Sequence, residues 1–164
     1  MIEVLTTGGT IDKVYFDAKS DFQVGASPLS DLLKEANLSI DIEVREVMRK
    51  DSLEMTDTDR ELIRKAVEES TSTHVVITHG TDTMVQTGCA LQGVADKTIV
   101  LTGAMQPARF RATDALFNVA AALTAVQTLP PGVYIAINGQ IFDPLTTRKN
   151  VVKNCFEKVG QNVN

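Results

Sequence analysis

The sequence predicts an α/β fold, with a doubly wound, mainly parallel sheet of five strands and helices on both faces. Three observations predict it. First, His74-Val75-Val76-Ile77-Thr78 and Thr98-Ile99-Val100-Leu101-Thr102 are β-branched and continuous rather than alternating, as strands covered on both faces are. Second, segments of helical periodicity fall between the strand-like runs, the pattern of consecutive βαβ units. Third, the chain has 164 residues, 43% of them hydrophobic and 23% charged, enough for a proper core and ordinary for a globular protein.

Taken in order, the strands are expected at 2–6, 40–48, 74–79, 98–102 and 133–137. Ser27-Pro28 reads as an N-cap followed by proline at the first helical position, with Leu29, Leu32, Leu33 and Ala36 as the apolar stripe. Thr56, with Asp57 and Asp59 behind it, opens the next helix, whose stripe is Leu62, Ile63, Ala66 and Val67. A third helix is expected from about Thr83 to Gln92. A fourth starts near Arg111, carries Leu116, Val119, Ala120, Leu123 and Val126, and is stopped by Pro130-Pro131-Gly132. For five such strands the expected order is 2-1-3-4-5, as in flavodoxin-like sheets. The stretch from Asp12 to Ala26 is long for a strand-to-helix loop, and its polar run from Asp17 to Asp21 fits either a flap or a surface excursion. With no repeat, low-complexity tract or linker, a single domain over 1–164 is expected.

Composition narrows the partners. Sixteen basic against 21 acidic residues give −5, which disfavours nucleic acid and anionic membranes. No apolar run reaches the roughly 18 residues of a membrane span, and the first residues lack the order of a signal peptide. Cys89 and Cys155, both in helix-like stretches, are expected as free, buried thiols in a reducing, cytoplasmic setting. No metal-ligand spacing occurs. His74 and His79, five apart on one strand, are expected on opposite faces.

In open α/β sheets, ligands gather at the carboxyl ends of the strands where the order reverses. After the first strand comes Gly8-Gly9-Thr10, and after the second Asp51-Ser52. The third is followed by His79-Gly80-Thr81-Asp82-Thr83 and the fourth by Gly103-Ala104-Met105. Beyond the fifth lies a polar loop ending Thr146-Thr147-Arg148-Lys149. In 2-1-3 order the two Gly-Thr turns face each other. Alone, each piece has a plainer reading. Gly8-Gly9 is a turn, Thr81-Asp82 a helix cap, Ser52 a turn residue, Lys149 a solvated charge and His79 a structural strand-end residue. Together they suit acyl transfer. A threonine hydroxyl needs a base, and Thr81, Asp82 and Lys149 can relay its proton. Backbone N–H groups at the glycine turns and at Ala104 can meet an oxyanion, and no cofactor is required.

At these residues the sequence resembles the bacterial-type L-asparaginase family. Thr7-Gly8-Gly9-Thr10-Ile11 resembles its first signature and His79-Gly80-Thr81-Asp82-Thr83 its second. Asp51-Ser52-Leu53-Glu54-Met55-Thr56-Asp57 is similar to its substrate-binding turn, and Thr102-Gly103-Ala104-Met105-Gln106-Pro107 to its segment after the fourth strand. The resemblance implies hydrolysis of L-asparagine to aspartate and ammonia through an acyl-enzyme. Thr10 would be the nucleophile, and Thr81, Asp82 and Lys149 a second triad in which Thr81 positions or attacks. Ser52 and Asp82 would hold the substrate's α-carboxylate and α-amino groups, beside Asp51, Gly9 and Gly80, with the Ala104 backbone at the scissile amide.

The sequence also departs from the longer members. Their second domain is not matched, so a short, single-domain member is expected, as a homo-oligomer (dimer or tetramer). Phe22 falls near their flap tyrosine, which leaves Tyr15 as the expected contact of Thr10. Leu53 replaces a common glutamine, so weaker substrate binding is expected. The alternatives are an amidohydrolase acting on glutamine or another amide, the asparaginase-like subunit of a tRNA-dependent amidotransferase, or a non-catalytic amino-acid-binding module.

Overall fold

The computed structural model describes residues 1–16 and 21–159. Its centre is a six-stranded sheet. In chain order the strands that build it are β1 (Ile2–Gly8), β4 (Ile42–Lys50), β5 (His74–Thr78), β6 (Thr98–Thr102), β7 (Gly132–Ile137) and β8 (Gln140–Phe142). The spatial order is β4-β1-β5-β6-β7-β8. The first five are parallel, in the expected 2-1-3-4-5 arrangement, and β8 is antiparallel to β7. This sixth strand corrects the expectation of five. Asn138 and Gly139 both have positive φ (52° and 72°), which is what a tight hairpin turn demands, so the chain reverses at the end of β7.

Two smaller hairpins carry the remaining strands: β2 (Lys13–Phe16) with β3 (Asp21–Val24), and β9 (Thr147–Asn150) with β10 (Cys155–Lys158). The first occupies the long segment after β1. The polar run expected to form a flap falls largely on residues 17–20, which lie outside the described residues.

Helices cover both faces. Helices α1 (Leu29–Glu35) and α4 (Ala115–Thr128) pack with Ile2, Val4, Val76, Val100 and Ala136, whereas α2 (Asp57–Glu69) and α3 (Met84–Ala90) pack with Leu5, Val75, Ile77, Leu101 and Ile135. Side-chain alternation along each buried strand produces these two cores. Helix α2 opens as expected, with a reciprocal capping box between Thr56 and Asp59.

Three local expectations are corrected. Pro28, not Ser27, holds the N-cap position of α1, and the Ser27 hydroxyl accepts a hydrogen bond from the Leu29 N–H at 3.4 Å. Helix α4 begins at Ala115, because Asp114 and Thr113 turn back to bond the loop before it. Cys89 lies on α3 but is exposed, and Cys155 is half-buried on β10 rather than helical. No helix among the described residues is long and apolar enough to cross a membrane.

Candidate active site

The two Gly-Thr turns abut. Strand β1 pairs with β5 from Glu3↔Val75 to Thr6↔Thr78, so both turns leave the sheet at one level. The Thr7 hydroxyl donates to the Thr78 carbonyl at 2.8 Å and locks the exit. Gly9 has φ +89°, and a Cβ there would strike the Gly80 backbone. A Cβ on Gly80 would in turn strike Ser52 Oγ. Three consecutive strand ends thus meet at contacts that only glycine permits.

Thr10 opens a short 3-10 turn, half-buried, and its hydroxyl makes no hydrogen bond among the described residues. Thr81 is buried at 3% exposure. Lys149 Nζ donates to Thr81 Oγ1 at 2.7 Å and to Asp82 Oδ1 at 2.7 Å. These bonds decide against the plainer readings. Helix α3 starts at Met84 without a side-chain cap, so Thr81 and Asp82 are not capping it. Nor is Lys149 a solvated charge, since its side chain is 13% exposed and holds two partners.

Lys149 reaches the turn because its hairpin is pinned. Its cross-strand partner Phe156 is buried against Phe142, the Phe156 N–H donates to Asn138 Oδ1 at 2.9 Å, and the Thr147 hydroxyl donates to the Asp143 carbonyl at 2.6 Å.

Asp51 caps a 3-10 turn by accepting from the Leu53 N–H, and its other oxygen meets Lys13 Nζ at 2.9 Å. Burial pushes the Asp51 carboxyl up. The hydrogen bonds from Lys13 and Leu53, with the charges of Lys13 and Lys149, outweigh it and hold the group below the usual carboxylate range. Ser52 follows, 1% exposed, and its hydroxyl has no partner among the described residues. The Thr83 hydroxyl donates to the Ser52 carbonyl at 2.7 Å and ties this turn to the next.

His79 has the structural role that its strand-end position suggests. It is fully buried just past β5, its Nδ1–H donates to the Gly80 carbonyl at 2.8 Å, and the Thr87 hydroxyl donates to its Nε2 at 2.8 Å. Burial drives its pKa down to about 4, against the opposing bond to Gly80, and the Arg60 charge adds to the fall. The ring is neutral at pH 7 and holds the Gly80 turn. Among the described residues no cluster of His, Cys, Asp or Glu could hold a metal.

The expected meeting of Tyr15 with Thr10 is not made by a hydrogen bond among the described residues. Tyr15 is 55% exposed, and its ring stands edge-on to Phe22, its cross-strand neighbour, at 5.4 Å. Cross-strand pairing on one hairpin face sets that geometry.

Sequence reasoning missed Lys13, Asp114 and Asn118. Asp114 accepts the Met105 and Gln106 N–H groups, and Asn118 Nδ2 donates to the Gly103 carbonyl at 3.0 Å and to Asp114 at 2.9 Å. Together they fix the loop that carries Ala104. The signal available in the sequence was Asn118 set among Ala115, Val119 and Ala122 on the apolar stripe of α4, and in the structure it is buried.

Residues 1–161 match the family model described as "Asparaginase, N-terminal". L-asparaginase of Thermococcus kodakarensis is 33% identical across 98% of this chain and 50% of that protein. A glutamyl-tRNA(Gln) amidotransferase subunit of Methanococcus vannielii is 29% identical across 93% of this chain and 37% of that protein. Among solved structures, the T. kodakarensis enzyme superposes with a TM-score of 0.80 at 30% identity, covering 96% of this chain and 50% of the other. L-asparaginase I of Vibrio cholerae gives 0.81 at 26%, covering 98% and 54%. The chain spans about half the length, or less, of these curated relatives. With the family model matched from residue 1 to 161, the chain belongs to the asparaginase family, in the part its N-terminal model describes.

Proposed function

We propose that the protein hydrolyses the side-chain amide of L-asparagine to L-aspartate and ammonia through a threonine acyl-enzyme. The observation that carries this reading is the Thr81–Lys149–Asp82 chain of 2.7 Å hydrogen bonds set against the Thr10 turn. In the proposed reaction Thr10 Oγ1 attacks the amide carbon and its proton leaves through Thr81 to Lys149, which Asp82 holds in place. Collapse of the tetrahedral adduct breaks the C–N bond, and the proton goes to the departing ammonia. Water then hydrolyses the ester and restores Thr10. Backbone N–H groups of the glycine turns and of Ala104 stabilise the oxyanion. Nothing in this sequence of steps requires a cofactor.

Tyr15 lies on the same face of β2 as Lys13, which reaches over the substrate turn. It is the flap hydroxyl that assists Thr10 in this proposal, and full kcat in Tyr15→Phe would remove that role.

Relatives with two different amide chemistries in their names favour keeping glutamine as a second substrate. One methylene changes pocket affinity by only about 1–3 kcal/mol. A homo-oligomer in the cytoplasm is part of the same proposal. Helix α4 has no ionisable residue and exposes Leu116 and Phe117, and both cysteines are free thiols.

Ammonia release from asparagine and from glutamine by the purified protein is the test, with Thr10→Ala and Thr81→Ala beside it. Release abolished in both variants is expected. Release retained in Thr10→Ala moves the nucleophile to Thr81, and none from either amide in the unaltered protein refutes hydrolysis in favour of a binding module.

A further inference from the structure

Three aromatic rings touch in series at the surface beside the site. Tyr15, Phe22 and Phe110 are 55%, 42% and 41% exposed, so none belongs to either core. Phe22 meets Tyr15 edge-on at 5.4 Å and Phe110 edge-on at 5.8 Å. The first contact lies within the β2–β3 hairpin. The second leaves it, because Phe110 belongs to the loop between β6 and α4. Two neighbours in that loop meet the residues that lead into the hairpin. The Ala108 N–H donates to the Ile11 carbonyl at 3.0 Å, and the Arg109 charge acts on the Asp12 carboxyl.

The loop is itself braced. The Phe110 N–H donates to the Pro107 carbonyl at 3.0 Å, and the Thr113 hydroxyl to the Gln106 carbonyl at 3.1 Å. Asp114 and Asn118 fix the residues on either side of Ala104. The hairpin needs such a support, since two strands of four residues are marginal on their own. Its inner end is tied by the bond from the Gly25 N–H to the Asp12 carbonyl and by the Lys13–Asp51 ion pair. Tyr15 and Phe22 pair further out, next to the last pair, Phe16↔Asp21. Phe110 therefore reaches the hairpin away from those ties.

We propose that Phe110 is a positioning residue: through Phe22 it clamps the β2–β3 hairpin to the loop that carries Ala104, and so fixes where Tyr15 stands. The hairpin and the oxyanion backbone then meet the substrate as one unit. Phe22 is the coupling piece, because it touches the ring on its own hairpin and the ring on the loop. The benefit to catalysis rests on the hydrolysis reading above, whereas the clamp itself does not.

Hydrogen exchange on the whole protein tests the clamp. In Phe110→Ala the amides of residues 13–15 and 22–24 are expected to exchange about two- to tenfold faster, while those of β5 and β6 are unchanged. Phe110→Tyr, which keeps the ring, should restore the protection. Adding Phe22→Ala to Phe110→Ala should speed the hairpin by less than the two separate effects combined. Unchanged hairpin exchange in Phe110→Ala would overturn the clamp, and so would equal acceleration across the central sheet. Ammonia release from asparagine tests the positioning. Phe110→Ala should lower kcat about two- to tenfold with a smaller change in KM, Phe110→Tyr should recover it, and in a Tyr15→Phe background the same change should have no further effect. A loss of the same size in that background, or no loss in Phe110→Ala alone, would overturn the positioning of Tyr15. No release by the unaltered protein with the exchange pattern intact sinks hydrolysis and leaves the clamp, and release without the exchange pattern sinks the clamp alone.

Discussion

Replacing Asp12 by Asn should reverse part of the pH dependence of stability. Asp12 sits in the 3-10 turn after Thr10, 2% exposed, and its Oδ1 has no partner among the described residues. Its N–H donates to the Gly9 carbonyl and its carbonyl accepts from Gly25, so its backbone joins both ends of the β2–β3 hairpin. Burial pushes its carboxyl from 3.8 up to about 6. The Ser27 hydrogen bond opposes this, Glu46 adds to it, and Arg49 and Arg109 reduce it. Because the folded state favours the protonated acid, this contribution is complete below 3.8 and is lost as pH rises through about 6. The whole gap is worth about 3 kcal/mol, of which about 2 is expressed between about pH 4.5 and about pH 8. Asn carries no charge, and its unpaired Nδ2 costs roughly 1–3 kcal/mol at every pH. The stability of Asp12→Asn relative to the unaltered protein should therefore rise by about 2 kcal/mol across that range, whatever its offset. Urea unfolding followed by circular dichroism at several pH values measures it, with equal m-values as the control. A difference that stays flat within about 0.4 kcal/mol, or falls as pH rises, would refute the reasoning.

Lys149→Met should lower kcat for ammonia release by about 10³-fold with little change in KM, since it removes the acceptor of the hydroxyl proton; a loss under tenfold would refute that role. Gly80→Ala should cost about 1–3 kcal/mol in urea unfolding and raise KM, because its Cβ displaces Ser52. An unaltered midpoint and KM would show that the turns are not packed as described. The His79 ring should remain neutral on acidification and titrate near pH 4 by NMR. Its depressed pKa means that stability complete above 6.5 is lost as pH falls toward 4, opposite in sign to Asp12, and a midpoint near 6.5 would count against its burial.

The sequence made the five parallel strands legible because strands covered on both faces show as β-branched runs, and the gaps between those runs held helical stripes. It did not show β8, three residues long, although Asn138-Gly139 was its hairpin signal. The β2–β3 and β9–β10 hairpins were hidden for another reason. Lys13–Phe16 puts a charge at the head of an apolar run, Thr147–Asn150 is wholly polar, and the pairing of each depends on a partner across a loop. Lys149 could still be chosen, because it follows the last strand where polar residues converge. Lys13 could not, since a lysine acquires meaning here only when Asp51 is brought to it from 38 positions away.

That distance bears on how the two threonines divide their work. Thr81 is buried and engaged by Lys149, which is itself held by Asp82, so its proton has a path but its oxygen has little freedom. Thr10 has the opposite condition: half-buried, without a hydrogen-bond partner among the described residues, and joined through a short turn to Lys13, which spans to Asp51. A nucleophile must approach a carbon, and near-attack geometry requires that its oxygen be positioned by the substrate's arrival. A proton relay must instead stay fixed. The Lys149 chain suits the relay and the Lys13 turn suits the attack, which is why the proposed chemistry assigns the first bond to Thr10. The glycine contacts between Gly9, Gly80 and Ser52 then set how near the two turns can come, so in the proposed reaction backbone packing matters as directly as the polar groups do.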